Sequence, residues 1–235
     1  MQPNALSVQQ TIEEALSILL KEKVRLTGAG RTDTGVHASY FVAHFSSSSE
    51  LLNTPGGTTM KLNHMLPNDI AILSIFPVKE NFHSRFNALS RTYKYYISRR
   101  KNPFRQETSY HISADIDTGA MNRAAKELFN YCDFSSFCRT NTNVKTNICK
   151  IISAEWHEEK DMLVFTIRAD RFLRNMVRAI VGTMLNIGYG RNSVDEFREI
   201  IESKDRRRAG TSAPAQGLFL TEIEYPCEVF SQKSV

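Results

Sequence analysis

The sequence predicts an α+β protein built on antiparallel sheet, and three observations carry that prediction. Helical and strand-like segments follow one another irregularly, without the regular alternation that a doubly wound parallel sheet requires. Two strand-like runs, Ile148 to Trp156 and Met162 to Ala169, flank the polar stretch Glu158-Glu159-Lys160-Asp161 and read as a hairpin. The chain has 235 residues, 41% hydrophobic and 23% charged, which is a globular composition with enough apolar material for a sizeable core. Solenoids, peptides and disulfide-stapled miniatures are thereby excluded, as is wholesale disorder.

Each element has a local reason. Ser7 followed by Gln10 reads as a capping box, and Val8, Ile12, Ala15, Leu16, Leu19 and Leu20 repeat at helical spacing, so a helix is expected over 8–22. Short strands are expected at 24–27 and 40–45, with the glycine-rich stretch 28–35 as the loop between them. Four serines and Pro55-Gly56-Gly57 mark 46–59 as a surface loop, followed by a brief helix at 61–66 and a strand at 71–78. Residues 91–99 alternate as a strand, with Arg91, Tyr93, Tyr95 and Ile97 on one face and Lys94 and Tyr96 on the other. Helices are expected over 118–131 and 172–187. Ser193 with Glu196 forms a second capping box for a helix ending near Ser203, and 218–225 closes the chain as a strand.

Thirty Lys and Arg against 25 Asp and Glu leave a net charge of +5, a bias that permits a polyanionic partner without demanding one. The distribution says more: from 81 to 106 the chain carries Arg85, Arg91, Lys94, Arg99, Arg100, Lys101 and Arg105 and no acidic residue. Arg171, Arg174 and Arg178 fall on one edge of the helix expected there, opposite Met176, Ile180, Val181 and Met184. Arg206-Arg207-Arg208 either touches a polyanion or ends a helix with favourable charge. The four cysteines, Cys132, Cys138, Cys149 and Cys227, have neither C-x-x-C spacing nor a histidine at ligand spacing, so reduced thiols and no metal site are expected. No signal-peptide pattern and no membrane-spanning run is visible, which makes the cytoplasm the expected compartment and a membrane partner unexpected.

The most informative stretch is Gly28 to Ala38, GAGRTDTGVHA. It is not a dinucleotide fingerprint, because Asp33 stands where a third glycine is needed and would repel a pyrophosphate. Nor is it a Walker loop, since Val36 and His37 follow Gly35 where Lys and Ser/Thr belong. What remains is a tightly bending loop that holds one carboxylate between two threonines. Read on spacing alone, Asp33 is either a turn cap or a single catalytic acid, and Asp33 with His37 as a metal pair lacks a third ligand.

GAGRTDTGVHA resembles the signature loop of the tRNA pseudouridine synthase A family. Four more segments are similar to family motifs in the same order: Phe82 to Phe86 with Ser90 to Tyr95, Asp133 to Phe137, Phe172 to Arg178 with Gly182, and Ala215 to Leu220. The resemblance implies two ferredoxin-like half-domains, 1–80 and 81–235, whose antiparallel sheets join into one large sheet around a central catalytic cleft. The family pattern has an opening strand ahead of the part matching 2–7, and by that comparison the half-domain 1–80 is expected to lack its first strand. By residue, the resemblance implies that Asp33 is the catalytic aspartate, that Arg31 helps to extrude the target base, that Tyr93 packs on the uracil, that Arg178 pairs with Asp33 and that Leu218 lines the uracil pocket. Arg85, Arg91 and Arg174 are the expected substrate contacts among the basic residues. The activity implied is isomerisation of uridine to pseudouridine at positions 38, 39 and 40 of the tRNA anticodon stem-loop, without a cofactor, by a homodimer. The alternative is a catalytically impaired RNA-binding protein or chaperone on the same scaffold.

Overall fold

The computed structural model describes residues 6–139 and 146–229. In chain order the elements are α1 (Val8–Leu20), β1 (Thr27–Gly28), β2 (His37–Ala38), β3 (Ala43–His44), α2 (Pro55–Met65), β4 (Ser90–Ser98), β5 (Tyr110–His111), α3 (Thr118–Glu127), β6 (Ile151–Glu159), β7 (Met162–Ala169), α4 (Met176–Gly188), α5 (Val194–Glu202) and β8 (Leu218–Glu224). The fold is mixed α+β. The chain groups into two compact units that are not contiguous in sequence. Among the described residues, one holds 6–30, 42–87 and 225–229, and the other holds 31–41, 88–139 and 146–224. The segment 31–41, expected within a half-domain 1–80, thus groups with the later part of the chain.

In the larger unit a six-stranded sheet runs β2-β8-β4-β7-β6, with β5 added to the far end of β4. Its long ladders are antiparallel, β4 with β7, β4 with β8 and β6 with β7, as the alternation in 91–99 and the hairpin pattern predict. The sheet is nevertheless mixed: β2 joins β8 in parallel at His37 and Phe219, and β5 joins β4 in parallel at Tyr110 and Ile97. The β6–β7 turn closes on Lys160 at a positive φ of 57°. Helices α3, α4 and α5 supply Met121, Ala125, Ile180, Met184, Phe197 and Ile200 to the core that covers one sheet face, against Tyr95, Ile97, Phe165 and Ile167. Helix α4 is buried along nearly its whole length.

The smaller unit has its own core, in which Leu16 and Leu20 of α1 meet Leu62 of α2, together with Val24 and Leu26. Ser7 caps α1 by accepting from the Gln10 N–H, but the Gln10 side chain bonds to Glu14, so the expected capping box is a single cap. Ser193 and Glu196 form the full reciprocal box on α5. Helix α2 begins at Pro55, inside the stretch expected to be loop. Proline at the first helical position sets φ at no hydrogen-bonding cost, and this outweighs the two glycines that follow. Residues 71–78, expected as a strand, carry a single bridge at Val78 and form no ladder among the described residues: Ile72 and Ile75 pack on the core while Asn63 of α2 bonds the Ile72 backbone N–H and C=O.

Candidate active site

The loop that carries Asp33 is bent by a four-residue turn, in which the Val36 N–H donates to the Asp33 carbonyl at 3.1 Å. Gly35 occupies the third position at φ +80°, which a type II turn reserves for residues that tolerate the left-handed region. A Cβ there would also stand 3.3 Å from the Ala215 Cβ, so the turn rests directly on the segment before β8. His37, the first residue of β2, lies flat on Phe219 with ring centroids 4.5 Å apart. Its Nε2 faces the Glu107 carbonyl at 2.8 Å, a contact in which the ring nitrogen must be the donor. His37 therefore secures the loop to the sheet, and the metal-pair alternative for Asp33 and His37 is unsupported by its geometry.

Two arginines converge on the Asp33 carboxylate, whose side chain is 19% exposed. Arg178 Nη1 lies 3.3 Å from Oδ2, and Arg174 Nε lies 3.6 Å from Oδ1. The two are held very differently. Arg178 is 20% exposed, and its Nε donates to the Ala213 carbonyl at 2.7 Å while the Ala213 N–H donates back to the Arg178 carbonyl at 2.9 Å. Arg174 is 50% exposed and belongs to the turn ahead of the helix.

That turn corrects a sequence expectation. Helix α4 starts at Met176, not Phe172, because Asn175 sits at φ +66° and breaks the run. Arg171 and Arg174 consequently do not share a helix edge with Arg178. Arg174, expected as a substrate contact, points its guanidinium at the same carboxylate as Arg178.

Tyr93 and Leu218 come from the two neighbouring strands β4 and β8. Tyr93 is paired in register with Leu220 on one side and Ile167 on the other, and its ring meets Phe172 edge-on at 5.1 Å. A register shift between Thr92 and Tyr93 marks a bulge at this point of the β4–β8 ladder, a device that re-aims a side chain next to a site. Burial pushes the Tyr93 phenol up to about 12, with the nearby Asp33 charge adding to the rise and Arg91 opposing it. Leu218 is 5% exposed and belongs to the main core. Beneath it, the buried Tyr95 hydroxyl donates to the Pro214 carbonyl at 2.8 Å, and a Cβ on Gly217 would lie 2.7 Å from Tyr95 Cζ. The sheet thus fixes the segment 214–218 from below.

Arg31, Arg91 and Arg85 are the other expected site residues. Arg31 is exposed. Arg91 donates from Nη1 to the Asp170 carbonyl at 3.1 Å. Arg85 belongs to the smaller unit, where its guanidinium lies 5.6 Å from the Phe86 ring centre. The cysteines are free thiols, with Cys138 and Cys149 buried.

A family model described as tRNA pseudouridine synthase matches residues 124–226. The chain is 54% identical over 230 residues to tRNA pseudouridine synthase A of Parabacteroides distasonis, covering 98% of this chain and 91% of that protein. Its likeness to the Bacteroides fragilis protein of the same name is 52% over 231 residues, with 98% and 91% covered. At greater distance, the Bacillus subtilis tRNA pseudouridine synthase A is 39% identical over 230 residues, 96% of this chain and 92% of that protein. The chain belongs to the tRNA pseudouridine synthase family.

Membership in the synthase family gives the Asp33 cluster its weight, and the structure adds groups that the sequence reading had not assigned to it. Phe172 braces the Tyr93 ring, Ala213 holds Arg178 through its backbone, and Arg174 is a second cation on Asp33. Ala213 gave no sequence signal because it acts through its backbone carbonyl, and Phe172, although part of a motif, was read as the first residue of a helix.

The buried phenol has a measurable consequence. A tyrosine whose folded pKa exceeds its unfolded value of about 10 keeps its proton longer in the folded state, so stability is intact below pH 10 and falls as pH rises toward 12. The difference between the two states corresponds to roughly 2–3 kcal/mol. Tyr93→Phe is expected to lose less of its stability to urea than wild type does as pH rises from about 10 to about 12, the interval that the phenol sets. Tyr95, which is also raised by burial, leaves part of the slope in place. Identical pH dependence in the two proteins would contradict the burial of this phenol.

Proposed function

We propose that the protein is a tRNA pseudouridine synthase that isomerises uridines 38, 39 and 40 of the anticodon stem-loop, with Asp33 as the catalytic group. The observation that carries this reading is a single, largely shielded carboxylate facing two guanidinium groups, with an aromatic strand residue beside it. Its chemistry suits the reaction. The N1–C1′ bond of the uridine breaks, the uracil turns in place, and C5 bonds to C1′, after which the C5 proton leaves and N1 gains one. The atoms balance without oxidant or reductant.

An ionised carboxylate serves such a reaction by either of two routes. It attacks C1′ as a nucleophile and is later displaced, or it stabilises the positive charge at C1′ and accepts a ribose proton. Arg178, anchored on Ala213, keeps the carboxylate aimed in both. Tyr93 supplies a stacking face for the detached base, and Leu218 an apolar wall without competing hydrogen bonds. With its proton held up to about 12, the Tyr93 phenol is un-ionised at neutral pH, which favours stacking over action as a free base. Base flipping is required, since C1′ and C5 are not both accessible in a stacked helix, and Arg31, exposed two residues before Asp33, takes that role in this reading.

The basic stretch ending at Arg105 supplies phosphate contacts in this reading. There the turn Pro103–Arg105, capped by the Asn102 side chain on the Phe104 N–H, presents Phe104 97% exposed among Arg100, Lys101 and Arg105. An aromatic face between cations fits an unpaired base and its phosphates. Phe104→Ala is expected to weaken tRNA binding in filter assays by about 1–3 kcal/mol while leaving the single-turnover rate of bound tRNA unchanged. Equal affinity would remove Phe104 from the RNA-binding surface. A cytoplasmic homodimer, with one protomer gripping the tRNA body and the other presenting its site, belongs to the same reading. Among the described residues no helix is long and apolar enough to cross a membrane.

The experiment that tests the reading is position mapping of pseudouridine in unmodified tRNA after incubation with the protein. Pseudouridine confined to positions 38–40 supports it. Modification elsewhere, with those positions untouched, would move the substrate assignment to another RNA site.

A further inference from the structure

The three consecutive arginines 206–208 follow α5 and do three different things. Arg207 forms a two-pronged pair with Asp205, with Nε at 3.0 Å from Oδ2 and Nη2 at 2.7 Å from the same oxygen, and Arg208 Nη2 reaches Glu199 at 3.2 Å. Both are exposed. Arg206 turns the other way. Its Nη1 donates to the Ala209 and Gly210 carbonyls at 3.3 and 3.2 Å, and its Nη2 donates to Ser212 Oγ at 2.9 Å. One guanidinium therefore satisfies three acceptors along the strap 209–212.

The strap is the platform of the site. Asn175 Nδ2 lies 2.6 Å from Ser212 Oγ, the Gly210 N–H donates to Thr183 Oγ1 at 2.9 Å, and Ala213 exchanges two hydrogen bonds with Arg178. Downstream, Ala215 supports the Asp33 turn at Gly35. A chain of direct contacts thus runs from Arg206 through Ser212 and Ala213 to Arg178 and from there to Asp33. We propose that Arg206 is a positioning residue for the isomerisation: it holds the 209–213 strap in the one conformation in which the Ala213 carbonyl fixes Arg178 against Asp33. The proposal rests on the reading of Asp33 as the catalytic group. It also removes Arg206 from the RNA-facing basic residues, since its donors are spent on the protein.

The test compares Arg206→Met, Arg206→Lys and Ser212→Ala with wild type in four readouts: single-turnover tritium release from C5-labelled tRNA at saturating protein, tRNA affinity, the salt dependence of that affinity, and thermal unfolding. Misplacing a catalytic group by about 1 Å costs on the order of 100-fold in rate, so Arg206→Met is expected to lose roughly 10- to 100-fold in the single-turnover step. Its tRNA affinity and salt slope should stay at the wild-type values. Arg206→Lys, which keeps a donor but not the fork, should recover part of the rate, and Ser212→Ala should lose rate in the same direction. An unchanged rate in Arg206→Met overturns the proposal, and so does a loss confined to affinity with a shallower salt slope, which would make Arg206 a phosphate contact. Crystal structures of wild type and Arg206→Met give a readout free of activity. Loss of the Arg178 Nε to Ala213 carbonyl bond in the variant supports the proposal, and an intact bond overturns it. Should the wild-type protein release no tritium, it is the catalytic reading that fails, and the crystallographic comparison still decides the strap.

Discussion

Asp33→Asn is expected to lose at least about 10³-fold in single-turnover pseudouridine formation, because the amide can neither attack C1′ nor accept a ribose proton at neutral pH. The substitution is nearly isosteric, and the surroundings do not depend on the charge for their shape. Arg178 keeps its bond to the Ala213 carbonyl, Val36 still closes the turn on the residue 33 carbonyl, and the half-exposed Arg174 is free to turn toward water. Thermal unfolding should therefore change little. Binding of tRNA should hold or tighten, since a negative charge has been removed from a surface that receives a polyanion. Loss of affinity in step with loss of rate would mean that the carboxylate serves binding and not chemistry.

Gly182→Ala is expected to be strongly destabilising although it replaces a glycine in the middle of a helix, where alanine ordinarily gains about 1 kcal/mol. In α4 the added Cβ would stand 1.8 Å from the Thr211 carbonyl oxygen, 3.0 Å from the Thr211 carbonyl carbon and 3.2 Å from the Ala213 nitrogen. All three are backbone atoms of the strap, so no side-chain rotation relieves the overlap. The strap must lift from the helix, breaking the Gly210 to Thr183 bond and the paired Arg178–Ala213 bonds as it does. Overpacking of this kind costs about 2–4 kcal/mol, which for a chain of this size lowers the melting temperature by roughly 5–15 °C. Activity should fall with it, since Arg178 loses its anchor. A melting temperature equal to or above that of wild type would show that the strap does not pack as described.

The sheet was legible wherever a pattern is imposed by burial. The alternation in 91–99 forecast β4 because Tyr95 and Ile97 must reach the core, and the two apolar runs around Lys160-Asp161 forecast the β6–β7 hairpin for the same reason. Local chemistry was read less well where two signals compete. Pro55-Gly56-Gly57 carries a loop composition and a helix start together, and packing of Leu62 against Leu16 decided for the helix. The apolar stretch 71–78, expected as a strand, packs Ile72 and Ile75 against the core without extending a ladder among the described residues, since a strand also needs a partner edge.

At the site the division is similar. Asp33, Tyr93, Arg178 and Leu218 stood out through the family resemblance, and their elements lie side by side in the larger unit. The second cation on Asp33 did not stand out, because one left-handed residue, Asn175, cuts the helical register that had put Arg174 on one edge with Arg171 and Arg178. Arg206 was hidden inside a run of like charges. Composition cannot distinguish the one arginine of three that turns inward, and only the carbonyls of 209 and 210 reveal it.

The central claim is that the Asp33 cluster isomerises uridine in tRNA. Its most direct measurement is tritium release from unmodified tRNA labelled at uridine C5, run side by side for wild type and Asp33→Asn with tRNA binding monitored in both. The account predicts release by wild type in step with pseudouridine formation, and none above background by the variant despite full binding. Equal release by the two proteins would contradict it, as would tight binding by wild type with no release at all.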